Sequence, residues 1–128
     1  LSTIKSSSAN LYVLASLEKK RKNLDELLLL NSDKRPIEGT NSNLFIFKEG
    51  KIFTPPLSEG PLLGCMRLLV LDYFDVEELA LNLKDVQTAD EIFFTNCNGI
   101  RYVKKFGQYD SYTNIISNRV VEKLNSLI

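Results

Sequence analysis

The chain has 128 residues, 44% hydrophobic and 25% charged, the composition of one ordinary globular domain with room for a real core. Its 16 basic and 16 acidic residues cancel, so no charge excess favours nucleic acid or an anionic membrane. Histidine is absent, which excludes Ser-His-Asp and Cys-His catalysis and HExxH zinc sites. Proton transfer is left to Lys, Glu, Asp, Tyr, Cys or a cofactor.

No apolar run approaches the ~18 residues that span a bilayer. The run Leu27 to Leu30 has the length of a strand. No signal peptide is visible, and Cys65 and Cys97 lack CxxC spacing, so neither a disulfide framework nor a metal site is expected. The cytoplasm is the expected compartment. The chain starts at Leu1 rather than Met, and it reads as the C-terminal part of a longer enzyme, one domain over residues 1–128.

In chain order, Leu11, Leu14, Ala15 and Leu17 predict a helix from about Ser8 to Lys22, with Ser8 as its N-cap. The basic run Lys19-Lys20-Arg21-Lys22 then falls at its C-terminal end, where cations suit the macrodipole. Asp25 to Leu30 predicts a buried strand, and Asn31 to Pro36 a turn. Ile37 to Thr40 and Asn43 to Phe47 read as strands. Lys48-Glu49-Gly50-Lys51 is a hairpin turn from which Ile52 to Thr54 returns.

Pro55, Pro56, Gly60 and Pro61 mark a loop. Gly64 or its neighbour opens a helix to about Tyr73, with Met66, Leu69 and Val70 expected on its inner face. Val76 to Leu81 alternates like a strand, and Asn82 caps a short helix through Thr88. Glu91 to Thr95 and Ile100 to Val103 are strands. Asp110 is the expected cap of a final helix bearing Ile116, Val120, Leu124 and Leu127 as its apolar stripe. Hairpin-like steps mixed with helices predict an α+β fold.

Two residue types in this order suggest a chemistry. Lys5 can form a Schiff base with an aldehyde. Glu38, on a nearby strand, can hold a pyridinium nitrogen in its protonated form. Read singly, Lys5 is also a solvated lysine and Glu38 a turn carboxylate. The loop Thr54 to Pro61 leads into the helix start Gly64-Cys65-Met66-Arg67, where free amides and the helix dipole favour a phosphate. Thr95-Asn96-Cys97-Asn98-Gly99 can expose amides to an anion or can be a plain turn.

Taken together these segments resemble the C-terminal domain of the class IV aminotransferases, the fold-type IV pyridoxal phosphate enzymes. That family includes branched-chain and D-amino acid aminotransferases and 4-amino-4-deoxychorismate lyase. The resemblance runs from Ile4 to about Val103 and rests on five segments in order. They are Lys5 before a helix, Asp25 to Asn31, Glu38-Gly39-Thr40-Asn41-Ser42-Asn43-Leu44-Phe45, Thr54 to Gly60 with Gly64 to Arg67, and Ala89 to Asn96.

The resemblance implies the larger, C-terminal domain of the D-amino acid aminotransferase-like fold, a mixed sheet or pseudo-barrel with flanking helices. It implies pyridoxal 5'-phosphate as cofactor, a small amino-bearing substrate and a homodimer, with no nucleic acid and no membrane. Lys5 would carry the Schiff base and move the Cα proton, and Glu38 would pair with the pyridine nitrogen. Gly64 with the Cys65 and Met66 amides would cradle the phosphate, and Asn96 and Cys97 would add contacts from the opposite loop. The family's N-terminal domain, source of a phosphate-binding arginine and one pocket wall, has no counterpart in these residues.

Two positions depart from the family. Met66 stands where many aminotransferases of the family have Thr, which tilts the reading towards the lyases. Asn10 stands where a Tyr is common, with Tyr12 the nearest candidate. Amino-group transfer is the leading expectation, with 4-amino-4-deoxychorismate lyase chemistry or a non-catalytic domain of the same fold as alternatives.

Overall fold

The computed structural model describes residues 2–5 (backbone path alone), 26–61 and 63–127. The predicted helix from Ser8 to Lys22 and its basic run lie outside the described residues. Eight described strands form one sheet: β1 (Ser2–Lys5), β2 (Leu27–Leu30), β3 (Pro36–Glu38), β4 (Asn43–Lys48), β5 (Lys51–Thr54), β6 (Val76–Glu78), β7 (Glu91–Asn96) and β8 (Gly99–Tyr102). Helices α1 (Cys65–Tyr73), α2 (Leu83–Gln87) and α3 (Ile115–Asn125) complete the described elements, with a 3-10 turn at Leu57–Glu59.

Strand β4 is the hub. β7 runs antiparallel along it from Asn43↔Thr95 to Phe47↔Glu91. β3 meets it at Glu38↔Asn43 and β5 at Ile46 to Lys48, so those two share its other edge at opposite ends. β8 continues from β7, and β6 lies parallel to β5. β1 pairs parallel with β2. Mixed pairing with flanking helices is the expected α+β architecture.

Side chains alternate across the sheet, so each strand supplies two separate cores. On one face Leu44, Ile46, Ile92 and Phe94 pack with Leu28, Leu81, Val86 and Phe106 beneath α2. On the other, Phe45 and Phe93 stack with ring centroids 5.1 Å apart, and Val70 of α1 with Val120 and Leu124 of α3 cover them. Burying each large apolar side chain contributes about 1.5–3 kcal/mol.

Several local expectations match the structure. A two-residue turn joins Lys48 to Lys51. Asn82 caps α2 in a reciprocal capping box with Asp85, each side chain accepting from the other's backbone N–H at 2.8 and 2.9 Å.

Others are corrected. On α1 Leu69 faces solvent, and Arg67 is buried beside Val70 instead. Arg67 tolerates burial because its guanidinium donates to Pro55 O at 3.2 Å and Glu78 Oε1 at 2.7 Å. Pairing of the Val76 segment ends at Glu78, and Leu79 is exposed. The last helix starts at Ile115, not near Asp110, because the acceptor for its first turn comes from β7. Leu127 lies past the end of that helix and is exposed.

Candidate functional site

Direct antiparallel partners project from the same face of a sheet. Glu38 of β3 opposes Asn43 of β4, and Asn43 opposes Thr95 of β7. The three side chains therefore form a polar row at one end of the face that carries the Phe45–Phe93 stack. All three are buried, Glu38 and Thr95 at 1% exposure. Glu38 and Thr95 flank Asn43 across two strand spacings, about 10 Å.

The loop that joins Glu38 to Asn43 is wrapped around a carboxylate. Glu26, just ahead of β2, accepts from Thr40 N at 2.9 Å, from Thr40 Oγ1, and from Ser42 Oγ at 3.1 Å. Gly39 N donates to Ser42 O at 2.8 Å and closes the turn. A Cβ on Gly39 would lie 2.8 Å from Glu26 Cδ and would collide with Ser42 Oγ, so this loop requires glycine. Glu26 thus fixes the backbone between two members of the row.

Helix α1 begins beside the row. Gly64 is its N-cap, with extended backbone, no side-chain cap and no acid in the first turn. A Cβ on Gly64 would collide with Asn43 Oδ1. Only glycine lets the helix start come this close to the sheet. The Cys65 and Met66 amides are among the N–H groups that a helix cannot satisfy within itself, and they carry the positive end of its dipole.

The approach to α1 is braced from two sides. Arg67 ties the helix to the Pro55 carbonyl. Arg35 pairs with Glu59, and Asn31 Nδ2 donates to Glu59 O at 3.1 Å, which holds the 3-10 turn. The hydrogen bond and charge of Arg35 hold the Glu59 carboxyl below its ordinary range, against a smaller opposing effect of burial.

Thr95 Oγ1 is buried without a hydrogen-bond partner among the described residues. An unsatisfied buried hydroxyl costs about 1–3 kcal/mol. It lies one strand from Asn43, the residue that packs against Gly64 at the start of α1.

The structure brings Glu38 and Gly64 to one place, with Cys65 and Met66 following at the helix start. Cys65 is exposed, and the Met66 side chain packs against the Phe45–Phe93 core. Asn96 pairs with Gly99 at the end of β7, on the opposite face from Thr95. Its Oδ1 accepts from Asn98 N at 2.8 Å, which forms the β7–β8 turn. Cys97 is exposed in that turn. The backbone of Lys5 ends β1 opposite Leu30, and its side chain lies outside the described residues. Tyr12 and Asn10 lie outside them as well.

Sequence reasoning missed Thr95, Asn43 and Glu26 as parts of the site. The register between β4 and β7 was the signal needed, and a single sequence does not print it. Among the described residues no group of three or more His, Cys, Asp or Glu could hold a metal ion. No described helix is long and apolar enough to cross a membrane.

The row fits a pyridine ring that carries a phosphate ester. A carboxylate stands at one end, a hydroxyl without a partner among the described residues stands at the other, and the start of α1 lies against Asn43 between them. The close Gly64–Asn43 approach leaves the amides, not a side chain, at the phosphate end.

Comparisons with known proteins place the chain in a family. Residues 1–106 match the family model of amino-transferase class IV. The chain is 38% identical over 88 residues to a Methanocaldococcus jannaschii protein assigned as a branched-chain-amino-acid aminotransferase, covering 65% of this chain and 31% of that protein. It is 35% identical over 89 residues to aminodeoxychorismate lyase of Vibrio harveyi, covering 66% of this chain and 33% of that protein. The branched-chain aminotransferase of Thermoproteus uzoniensis superposes with a TM-score of 0.87 at 21% identity, over 98% of this chain and 50% of that one. That likeness is one of fold. The chain spans about a third of the length of these curated relatives and half that of the solved enzyme.

Proposed function

The chain belongs to the amino-transferase class IV family, and from that premise we propose that it is the cofactor-holding domain of a pyridoxal phosphate enzyme that transfers an amino group. The observation that carries this reading is the buried row in which Glu38 and Thr95 flank Asn43 beside the start of α1. When bound, the cofactor supplies an electron sink for the electrons left by a broken Cα bond.

The chain's own residues do the rest. Glu38 keeps the pyridine nitrogen protonated, and burial strengthens that ion pair. The Cys65 and Met66 amides bind the phosphate, with Asn96 and Cys97 adding contacts from the facing turn. Lys5 holds the cofactor and carries the proton taken from Cα of the substrate. A second domain supplies the other pocket wall, and the working form is a cytoplasmic homodimer. The fraction of the relatives' length that this chain spans supports the two-domain part of the reading.

A lyase is the second reading. Its support is Met66, which offers no hydroxyl at the helix start, and the similarity to aminodeoxychorismate lyase. Product analysis separates the two. The complete polypeptide should convert amino acid and 2-oxo acid pairs to the exchanged products and should leave aminodeoxychorismate intact. Release of 4-aminobenzoate and pyruvate from aminodeoxychorismate would establish the lyase instead. Borohydride reduction with the cofactor should label the Lys5 peptide, and a label on another lysine would remove Lys5 from its role.

A further inference from the structure

We propose that Thr95 is the side-chain hydroxyl that donates to the cofactor's phosphate, standing in for the hydroxyl that α1 lacks at Met66. The inference rests on the reading of this site as a pyridoxal phosphate site. Residue Thr95 has so far no role in it beyond geometry.

Four observations converge on the hydroxyl. Thr95 is 1% exposed, so bulk water does not satisfy it. Its Oγ1 has no partner among the described residues. Its neighbours on the same face along β7 and β8 are Phe93 and Ile100, which offer no acceptor. Its neighbour on β4 is Asn43, whose amide oxygen packs against Gly64 at the helix start. Among the described residues the hydroxyl therefore has carbon on the β8 side, and on the β4 side it has Asn43, the residue that packs against the α1 start.

Met66 explains why the strand and not the helix supplies this donor. Its thioether packs into the apolar cluster of Phe45, Phe93 and Val70 and cannot donate to an anion. Asn96 does not substitute for Thr95, since its side chain is held in the β7–β8 turn. A phosphate at the helix start would meet amides from α1 and one hydroxyl from β7, which together approach it from two directions. Hydrogen bonds to a charged acceptor are the strong ones.

The test uses the complete polypeptide and titrates pyridoxal phosphate and, separately, pyridoxal, which lacks the phosphate. Thr95→Val keeps the shape and removes the hydroxyl. It should weaken pyridoxal phosphate binding roughly 10- to 100-fold, the value of one charge-assisted hydrogen bond. Pyridoxal affinity should stay within about 2-fold, because the missing donor serves the phosphate alone. The cofactor-free protein should melt at the same temperature or higher, since an unsatisfied buried hydroxyl has been removed. Thr95→Ser should restore tight binding, and Met66→Thr placed in the Thr95→Val background should recover part of it.

Equal loss of both ligands together with a lower melting temperature would make Thr95 a packing residue and overturn the proposal. Unchanged pyridoxal phosphate affinity in Thr95→Val would overturn it too, while the cofactor reading stands. A parent protein that binds neither ligand saturably would overturn the cofactor reading, and this inference with it.

Discussion

Two helices lie on one face of the sheet, and their N-termini are treated in opposite ways. The first turn of α3 receives a carboxylate from the chain itself. Glu91 of β7 accepts from Ile116 N at 2.9 Å, Ser117 N at 3.0 Å, Ser117 Oγ at 3.0 Å and Thr113 Oγ1 at 2.8 Å. The first turn of α1 has no acid and no side-chain cap, and β7 carries a buried hydroxyl, that of Thr95, without a partner among the described residues. The same physics, amides and a dipole that attract an anion, serves stability at one end of the face and, in the function proposed above, ligand binding at the other. A helix start that the chain fills itself is architecture. One that it leaves uncapped, with glycine against the sheet, is the candidate site.

The largest expected effect comes from emptying the filled end. Glu91→Ala leaves two backbone amides and two hydroxyls without their acceptor, and should cost about 3–5 kcal/mol in urea unfolding. Cofactor affinity, measured under conditions where the variant is folded, should change far less. A loss below about 1 kcal/mol would show that Glu91 does not hold α3.

Next comes crowding at the open end. Gly64→Ala forces Asn43 away from the helix start, because the new Cβ would collide with Asn43 Oδ1. Overpacking of this kind costs about 1–3 kcal/mol. Both unfolding free energy and pyridoxal phosphate affinity should fall, and a variant with parental affinity would show that the approach of Gly64 is unimportant for the ligand.

A third change turns α1 into a copy of α3. Cys65→Asp places a carboxylate at the first position of α1, where Cys65 is exposed and replaceable. The cofactor-free protein should gain about 0.3–1 kcal/mol in stability. Pyridoxal phosphate should bind at least about tenfold more weakly, as two anions cannot share one helix start. Unchanged affinity would place the phosphate elsewhere.

The smallest signal is in pH. Burial opposes ionisation of Glu91, but the Ile116 and Ser117 amides and the two hydroxyls outweigh it and hold the carboxyl below its ordinary range. A group whose folded pKa is depressed adds stability above its unfolded value, about 4.3, and that stability is lost as pH falls through the folded value. Glu91→Gln should therefore flatten the acid side of the stability curve. Parallel curves for parent and variant between pH 7 and 3 would contradict the assignment.

How much the sequence disclosed follows the range of each interaction. The Lys48–Lys51 turn, the start of α1 at Gly64 and the cap of α2 at Asn82 are settled by neighbours a few residues apart, and they were legible. The start of α3 was not. Its acceptor, Glu91, lies 25 residues upstream of Ile116, so Asp110 looked like the better cap. Arg67 was hidden in the same way, because its partners Pro55 and Glu78 belong to other segments.

At the site, Glu38 and the helix start were legible from residue type and order. The row was not. Thr95 reads as the last residue of an apolar strand before a turn, and its meaning comes from the β4–β7 register that sets it beside Asn43. Glu26 reads as an acidic flank of a strand, although it organises the loop through Thr40 and Ser42.

The contrast between the two helix starts is best tested by the amide resonances of the complete, isotopically labelled protein during titration with pyridoxal phosphate. The Cys65 and Met66 amide protons should shift strongly downfield as the phosphate accepts from them. Those of Ile116 and Ser117, already engaged by Glu91, should stay in place. Saturable binding with no shift at Cys65 and Met66 would contradict the assignment of the phosphate to the start of α1.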